Sequence, residues 1–173
     1  MEFFAAIKYF KKKLSREEVT KAIANILRRK EVQEMIIEMN QEQMYELGQD
    51  SNGELIGGGG YSPITIWIKE KKGQRVDHIT LRDTGDFYNS MTVEVSSGEF
   101  IIDADADKGG GHNLFDMYGI DILGLNEDNK ERLRELLVRE FVFEIKKNAY
   151  FWSQIETNEF NRYYRNFRKT RTI

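Results

Sequence analysis

Cysteine is absent from the 173 residues, which removes disulfides and thiolate metal sites and suits a reducing compartment such as a bacterial cytoplasm. With a single proline there is no proline-rich linker. No window approaches about 18 consecutive uncharged apolar residues, so no membrane span is expected. The start, Met1-Glu2-Phe3-Phe4-Ala5-Ala6-Ile7-Lys8, places an acid first and carries too short an apolar run for a secretory signal. Histidine occurs only at His78 and His112, and no Ser-His-Asp grouping stands out around either; loop histidines of this kind are read as polar, not catalytic. A net charge of -3 argues against nucleic-acid binding by the body as a whole.

What is present describes one globular domain with a heavily solvated surface: 40% hydrophobic and 32% charged residues. The cations are unevenly placed. Arg162, Arg165, Arg168, Lys169 and Arg171 crowd the C-terminal end with no acid among them.

Residues 2–13 read as a short helix with Phe3, Phe4, Ile7 and Phe10 on one side. Ser15 and Glu18 form a capping box before Val19, Ile23, Ile26 and Leu27 at helical spacing. A further helix is expected from about Lys30 to Leu47, striped by Val32, Met35, Ile36 and Met39 and stopped by Gly48. A loop rich in Asn, Ser and Gly follows to Gly60. Ser62-Pro63 then reads as N-cap and first residue of a helix through Trp67 to Lys71. Residues 91–95 and 99–104 read as two strands of a hairpin turning at Ser97-Gly98, and 112–118 as one more helical turn ending at Gly119. Asn126 caps a long helix with Leu133, Leu136, Leu137, Phe141, Phe143 and Ile145 along it. The fold class expected is α+β, several helices packed around a small antiparallel sheet, with a long helix near the C-terminus. Residues 1–145 form the domain (N-terminal helices 1–47, glycine-rich loop 48–60, sheet and helices 61–145), and 146–173 a basic aromatic tail.

Four patterns could carry chemistry or contact. Asp83-Thr84-Gly85 is the tripeptide of aspartic proteases, whose chemistry needs two such carboxylates sharing one proton, hence a homodimer. Arg82 before it and Asp86 after it do not suit that site, and the reading preferred is structural: Thr84 caps a helical turn, Gly85 reverses the chain, and Phe87 and Met91 enter the core. Asp103, Asp105 and Asp107 alternate and so point to one face of the second strand. An EF-hand loop counted from Asp103 fails, with Lys108 at the glycine position and Leu114 at the glutamate position, so these acids read as a solvated or contacting face. Gly57, Gly58, Gly59 and Gly60 are followed by no Gly-Lys-Ser/Thr and read as a flexible loop, available to order itself on a neighbour. The tail carries Phe160, Tyr163, Tyr164 and Phe167 at helical spacing among its arginines. It suits packing on the domain, docking to a partner, or a salt-sensitive grip on DNA phosphates. No catalytic residue, metal or cofactor is expected.

Leu81-Arg82-Asp83-Thr84-Gly85-Asp86-Phe87-Tyr88-Asn89-Ser90-Met91, followed by Asp121-Ile122-Leu123-Gly124-Leu125-Asn126-Glu127-Asp128, resembles the virion-morphogenesis or tail-completion (neck, head-to-tail connector) family of tailed phages. In that family a Leu-x-x-Thr-Gly-x-hydrophobic-x-x-Ser run precedes a strand pair, and a hydrophobic-Leu-Gly-hydrophobic segment precedes a late helix. Gln43-Met44-Tyr45, Gly48, Gly53 and Tyr61-Ser62-Pro63 look like the helix, loop and Tyr-Ser segment before the Thr-Gly run. Similar arrangements occur in phages of gut Bacteroidetes. The resemblance covers roughly residues 40–145. It implies a virion structural protein of the neck or upper tail, made in the bacterial host cytoplasm and acting as a homo-oligomeric ring of roughly six or twelve subunits. Its partners would be the portal-side connector and tail proteins, with non-specific contact to packaged DNA and none to membrane. Thr84, Gly85 and Gly124 would then set the fold. The contact residues expected are Gly57 to Tyr61, then Asp103, Asp105, Asp107 and Lys108, and in the tail Arg162, Tyr163, Arg165, Arg168, Lys169 and Arg171. Two alternatives remain: a dimeric protease at Asp83, or a small nucleic-acid-binding module acting through the tail.

Overall fold

A local capping signal places the first helix, and apolar spacing the second. The computed structural model describes residues 15–109 and 111–147, and in its last helix the side chains through Glu144; the helix expected over 2–13, the contribution of Ile145 to the core, and the whole basic tail lie outside the described residues. Helix α1 (Arg16–Leu27) starts at Ser15, whose hydroxyl accepts the Glu18 backbone N–H at 3.2 Å while the Glu18 carboxylate accepts the Ser15 N–H at 2.8 Å. This reciprocal box satisfies donors that an α-helix leaves without internal partners. Helix α2 (Lys30–Glu42) buries Val32, Ile36 and Met39 at spacings that keep them on one side.

The expected single helix to Leu47 is corrected at its end. Gln43–Leu47 is a π-helical turn, closed by Gly48 at φ 63°. Gln43 and Met44, one α-turn on from the buried Met39 and Asn40, are both buried.

Helix α3 (Pro63–Lys71) begins at Ser62, which accepts the Thr65 N–H at 3.3 Å, with Pro63 in the first turn where no donor is needed. A short helix α4 (Asp86–Asn89) leads into β1 (Thr92–Ser96) and β2 (Glu99–Asp103), an antiparallel pair with Val93 opposite Ile102 and Glu94 opposite Ile101. Ser97 at φ 48° and Gly98 at φ 81° give the doubly left-handed turn whose twist matches a two-residue hairpin. Helix α5 (Leu114–Tyr118) is capped by Asn113, and α6 (Glu127–Lys147) by Asn126, which accepts the Asn129 N–H at 3.0 Å.

Period-two alternation sends Val93, Val95, Phe100 and Ile102 toward α1 and α2. Helix α6 lies against α1 and α2, contributing Leu133, Leu136, Phe141 and Val142 to the same core, and Arg29 at the α1–α2 junction ion-pairs with Glu140 (3.0 Å) and Glu144 of α6. The architecture is α+β: helices around one two-stranded antiparallel sheet, with a long helix at the C-terminal side.

Candidate functional site

The Thr-Gly run is a corner between two core anchors. Leu81 takes φ 53°, a left-handed conformation that costs a branched residue energy, and is buried there. Phe87 and Tyr88 of α4 are also buried. The Tyr88 hydroxyl donates to the Thr80 carbonyl at 2.6 Å, and burial pushes its pKa well above the ordinary tyrosine value. Ser90 donates to the Phe87 carbonyl at 2.8 Å and accepts the Asp105 N–H at 2.9 Å, tying the corner to the segment after β2. Gly85, at φ 98°, is itself the N-cap of α4. This shifts the expected role of Thr84 by one position: its hydroxyl donates to the Asp86 carboxylate at 2.6 Å and lies 3.4 Å from the Asp86 N–H.

Asp83 is not isolated. Lys72 Nζ lies 2.7 Å from its carboxylate and the Gln74 amide donates at 3.1 Å, and these hydrogen bonds hold its pKa below the usual carboxylate range.

Sequence reasoning missed a buried amide network beneath the Leu-Gly motif. Asn40, Gln43, Asn126 and Asn129 are all buried. Gln43 donates to the Asp50 carbonyl at 2.7 Å and accepts the Asn126 N–H at 2.7 Å and the Asn129 amide at 3.2 Å. Asn40 donates to the Ile122 carbonyl and accepts the Gly124 N–H, both at 3.2 Å. Gly124, at φ 117°, passes so close to Ser51 that a Cβ there would sit 3.0 Å from the serine Cβ. The only sequence signal was polarity interrupting an apolar stripe.

The glycine stretch is not the flexible loop expected. Asp50 folds its carboxylate onto the Asn52 and Glu54 N–H groups (2.9 and 3.0 Å), Gln49 bridges to Leu55, and Ile56–Gly59 forms a tight turn whose three glycines all take positive φ. Gly57, at φ 57°, sits over Ile79 and Tyr118, leaving no room for a side chain. His78 likewise has partners: it is buried against Gly48, with Nε2 2.9 Å from the Tyr45 carbonyl and Nδ1 3.1 Å from the Asp77 carboxylate.

The three aspartates do not alternate along one strand, because β2 ends at Asp103. Each instead turns back on nearby backbone: Asp103 accepts from Ala104 (2.9 Å), Asp105 from Asp107 (3.0 Å) and Asp107 from Gly109 (2.8 Å). Among the described residues no group of acids and histidines gathers as a metal site, and no helix is long and apolar enough to cross a membrane.

Two of the expected contact regions meet. Gly60, Tyr61 and Lys108 all line one groove of about 470 Å³ between α3, the 79–83 segment and α5. Its walls are Ile68, Leu81, Leu114, Met117 and Tyr118, and its cations are Lys69, Lys72, Arg82 and Lys108 against the single acid Asp83. Lys69 is only 7% exposed. Its Nζ donates to the Arg82 carbonyl (2.9 Å) and the Gln74 amide oxygen (3.3 Å) and lies 5.0 Å from the centre of the Tyr61 ring, with no carboxylate partner among the described residues. Beside the groove, α3 exposes Ile64 (70%) and Trp67 (60%).

A second, unlike face lies on the hairpin. The outward residues of β1 and β2 are Thr92, Glu94, Ser96, Glu99, Ile101 and Asp103. Ile101 is 69% exposed and is ringed by Glu94 across the ladder and by Glu99 and Asp103 along its own strand. The tail residues Arg162, Tyr163, Arg165, Arg168, Lys169 and Arg171 lie outside the described residues. No protein-family model, curated protein or solved structure matches this chain.

Proposed function

We propose that the protein is a structural subunit of a tailed-phage virion, a ring-forming neck or head-to-tail connector or tail-completion subunit without catalytic activity. The observation that carries this reading is the pair of unlike exposed faces, a lysine-bearing apolar groove and an acidic hairpin face around Ile101. Unlike faces on one chain favour heterologous contacts, which close into a ring when the rotation fits. Large exposed apolar side chains at Ile64, Trp67 and Ile101 are what a subunit interface needs, and opposite charge would register one neighbour on the next. The motif residues suit the same reading. Leu81, Phe87 and Leu123 are buried, and Gly85 and Gly124 hold turns, so the Thr-Gly and Leu-Gly signatures serve the fold while the surface serves assembly.

In this reading the subunit binds the portal-side ring above, presents a docking face to tail proteins below and helps retain packaged DNA. Sedimentation velocity of the purified chain at moderate salt tests it. The expected result is a closed species of roughly six or twelve subunits. A chain that stays monomeric or stops at a dimer at every concentration would sink it.

A further inference from the structure

We infer that the acidic hairpin knob of one copy seats in the lysine groove of the next copy, with Ile101 entering between the apolar walls and the surrounding carboxylates meeting Lys69, Lys72 and Lys108. This rests on the ring reading and names the contact that would build it.

The argument begins with the knob. In an antiparallel ladder the residues opposite and two along the strand share a face within about 5–8 Å. Ile101 therefore projects from the middle of Glu94, Glu99 and Asp103. An exposed β-branched side chain on a strand is stabilised by covering it, and leaving this one open forfeits that burial. Glu94 and Glu99 make no ion pair with another described residue, so both remain available to an incoming cation.

The groove has the complementary shape and charge. Ile68, Leu114 and Met117 supply apolar wall, and about 470 Å³ accommodates an isoleucine with the stems of its neighbours. Lys69 carries three N–H donors, and only two find oxygen among the described residues. A buried cation without a carboxylate is costly, and a partner acid beside it offsets that cost. Lys108 faces the same space without an ion pair among the described residues, and Lys72 has Asp83 alone. Knob and groove belong to different parts of the chain: the hairpin packs on α1 and α2, whereas the groove is built by α3, the 79–83 segment and α5. Each copy can therefore give its knob and receive another, which is head-to-tail propagation, not a closed two-fold pair.

Charge reversal tests the pairing. One variant carries Lys72→Glu and Lys108→Glu, the other Glu94→Lys and Glu99→Lys; circular dichroism checks that both remain folded. Each alone is expected to associate at least about 100-fold more weakly than the wild type at low salt, because like charges now face each other. An equimolar mixture is expected to regain assembly, since each reversed groove then meets a reversed knob. Independently, the absence of native cysteine makes a disulfide test clean. The double variant Ile101→Cys with Met117→Cys is expected to give a ladder of crosslinked species on oxidation, which neither single variant gives.

If the wild type forms a ring and both reversed variants keep it, or the double cysteine variant gives no ladder, the ring reading survives and this contact falls. If the wild type stays monomeric and the cysteines give no ladder, both fall.

Discussion

The buried Gln43 carboxamide joins two distant segments: its oxygen accepts the Asn126 backbone N–H at 2.7 Å while its nitrogen donates to the Asp50 carbonyl at the same distance. One side chain thereby fixes the loop after the π-turn and the start of α6. Replacing it with alanine would leave the Asn126 N–H and the Asp50 carbonyl without that partner, and would open a void where the buried amide stood. Gln43→Ala is expected to lose about 3 kcal/mol or more of stability, read as a lowered midpoint in urea unfolding.

Gly124 and Ser51 form a second junction in the same place. At φ 117° an L-residue is strained, and its Cβ would also press on the Ser51 Cβ at 3.0 Å. Gly124→Ala is expected to cost about 2–3 kcal/mol, against about 1 kcal/mol for Gly73→Ala, where φ is also positive but the space is open. Adding Ser51→Gly to Gly124→Ala should recover the part due to contact and leave the part due to φ. Thermal midpoints of the wild type, Ser51→Gly, Gly124→Ala and the double variant separate the two.

The Lys72–Asp83 pair predicts acid behaviour. Because the folded-state pKa of Asp83 is depressed, its contribution is present above its unfolded value and is lost as pH falls through the folded one. The pair is partly exposed, so Asp83→Asn should cost under about 1 kcal/mol at neutral pH and flatten the acid limb of the stability curve. Oligomeric mass and any processing of virion proteins should be unchanged. Loss of a proteolytic activity in this variant would instead favour an aspartic protease.

Tyr88 predicts the opposite limb. Its raised folded-state pKa means that its contribution is complete below the ordinary tyrosine value and is lost as pH rises through and beyond it. Tyr88→Phe removes the hydrogen bond to the Thr80 carbonyl. It should cost about 1–2 kcal/mol at neutral pH and steadily less in alkali, measured by urea unfolding across the alkaline range.

Signals that act between near neighbours were legible in the sequence. The Ser15–Glu18 box, Ser62-Pro63, the Ser97-Gly98 turn and the Asn126 cap all lie where the letters place them, because their physics is settled within a few residues. The limits of the α+β body came from apolar spacing. Gln43 was not legible as a core residue, since its partners Asn126 and Asn129 are distant in the chain and an apolar stripe gives no notice of a buried amide. Lys69 was hidden for the same reason: in sequence it is one of several lysines ending a helix, and only the fold puts Tyr61 and the Arg82 carbonyl around it. The aspartates misled because alternation was extended past Asp103, where backbone-directed carboxylates end the strand. Tyr61 and Lys108 were both named as contacts, but nothing in their separation announced that they share one groove.

The π-turn at Gln43–Leu47 absorbs one extra residue. Gln43 and Met44 follow Met39 and Asn40 at ordinary α-spacing, four residues on and on the same side of the helix. The turn therefore opens on an amide and a thioether that face inward in succession, Gln43 to the α6 junction and Met44 to the apolar core, and its extra residue is taken up before Gly48. A deletion of one residue within the turn would restore ordinary helical winding and leave the direction of the chain beyond it nearly unchanged, because the wide turn holds one residue more than an α-turn. The helix and its alignment with the rest of the molecule would both survive such an edit.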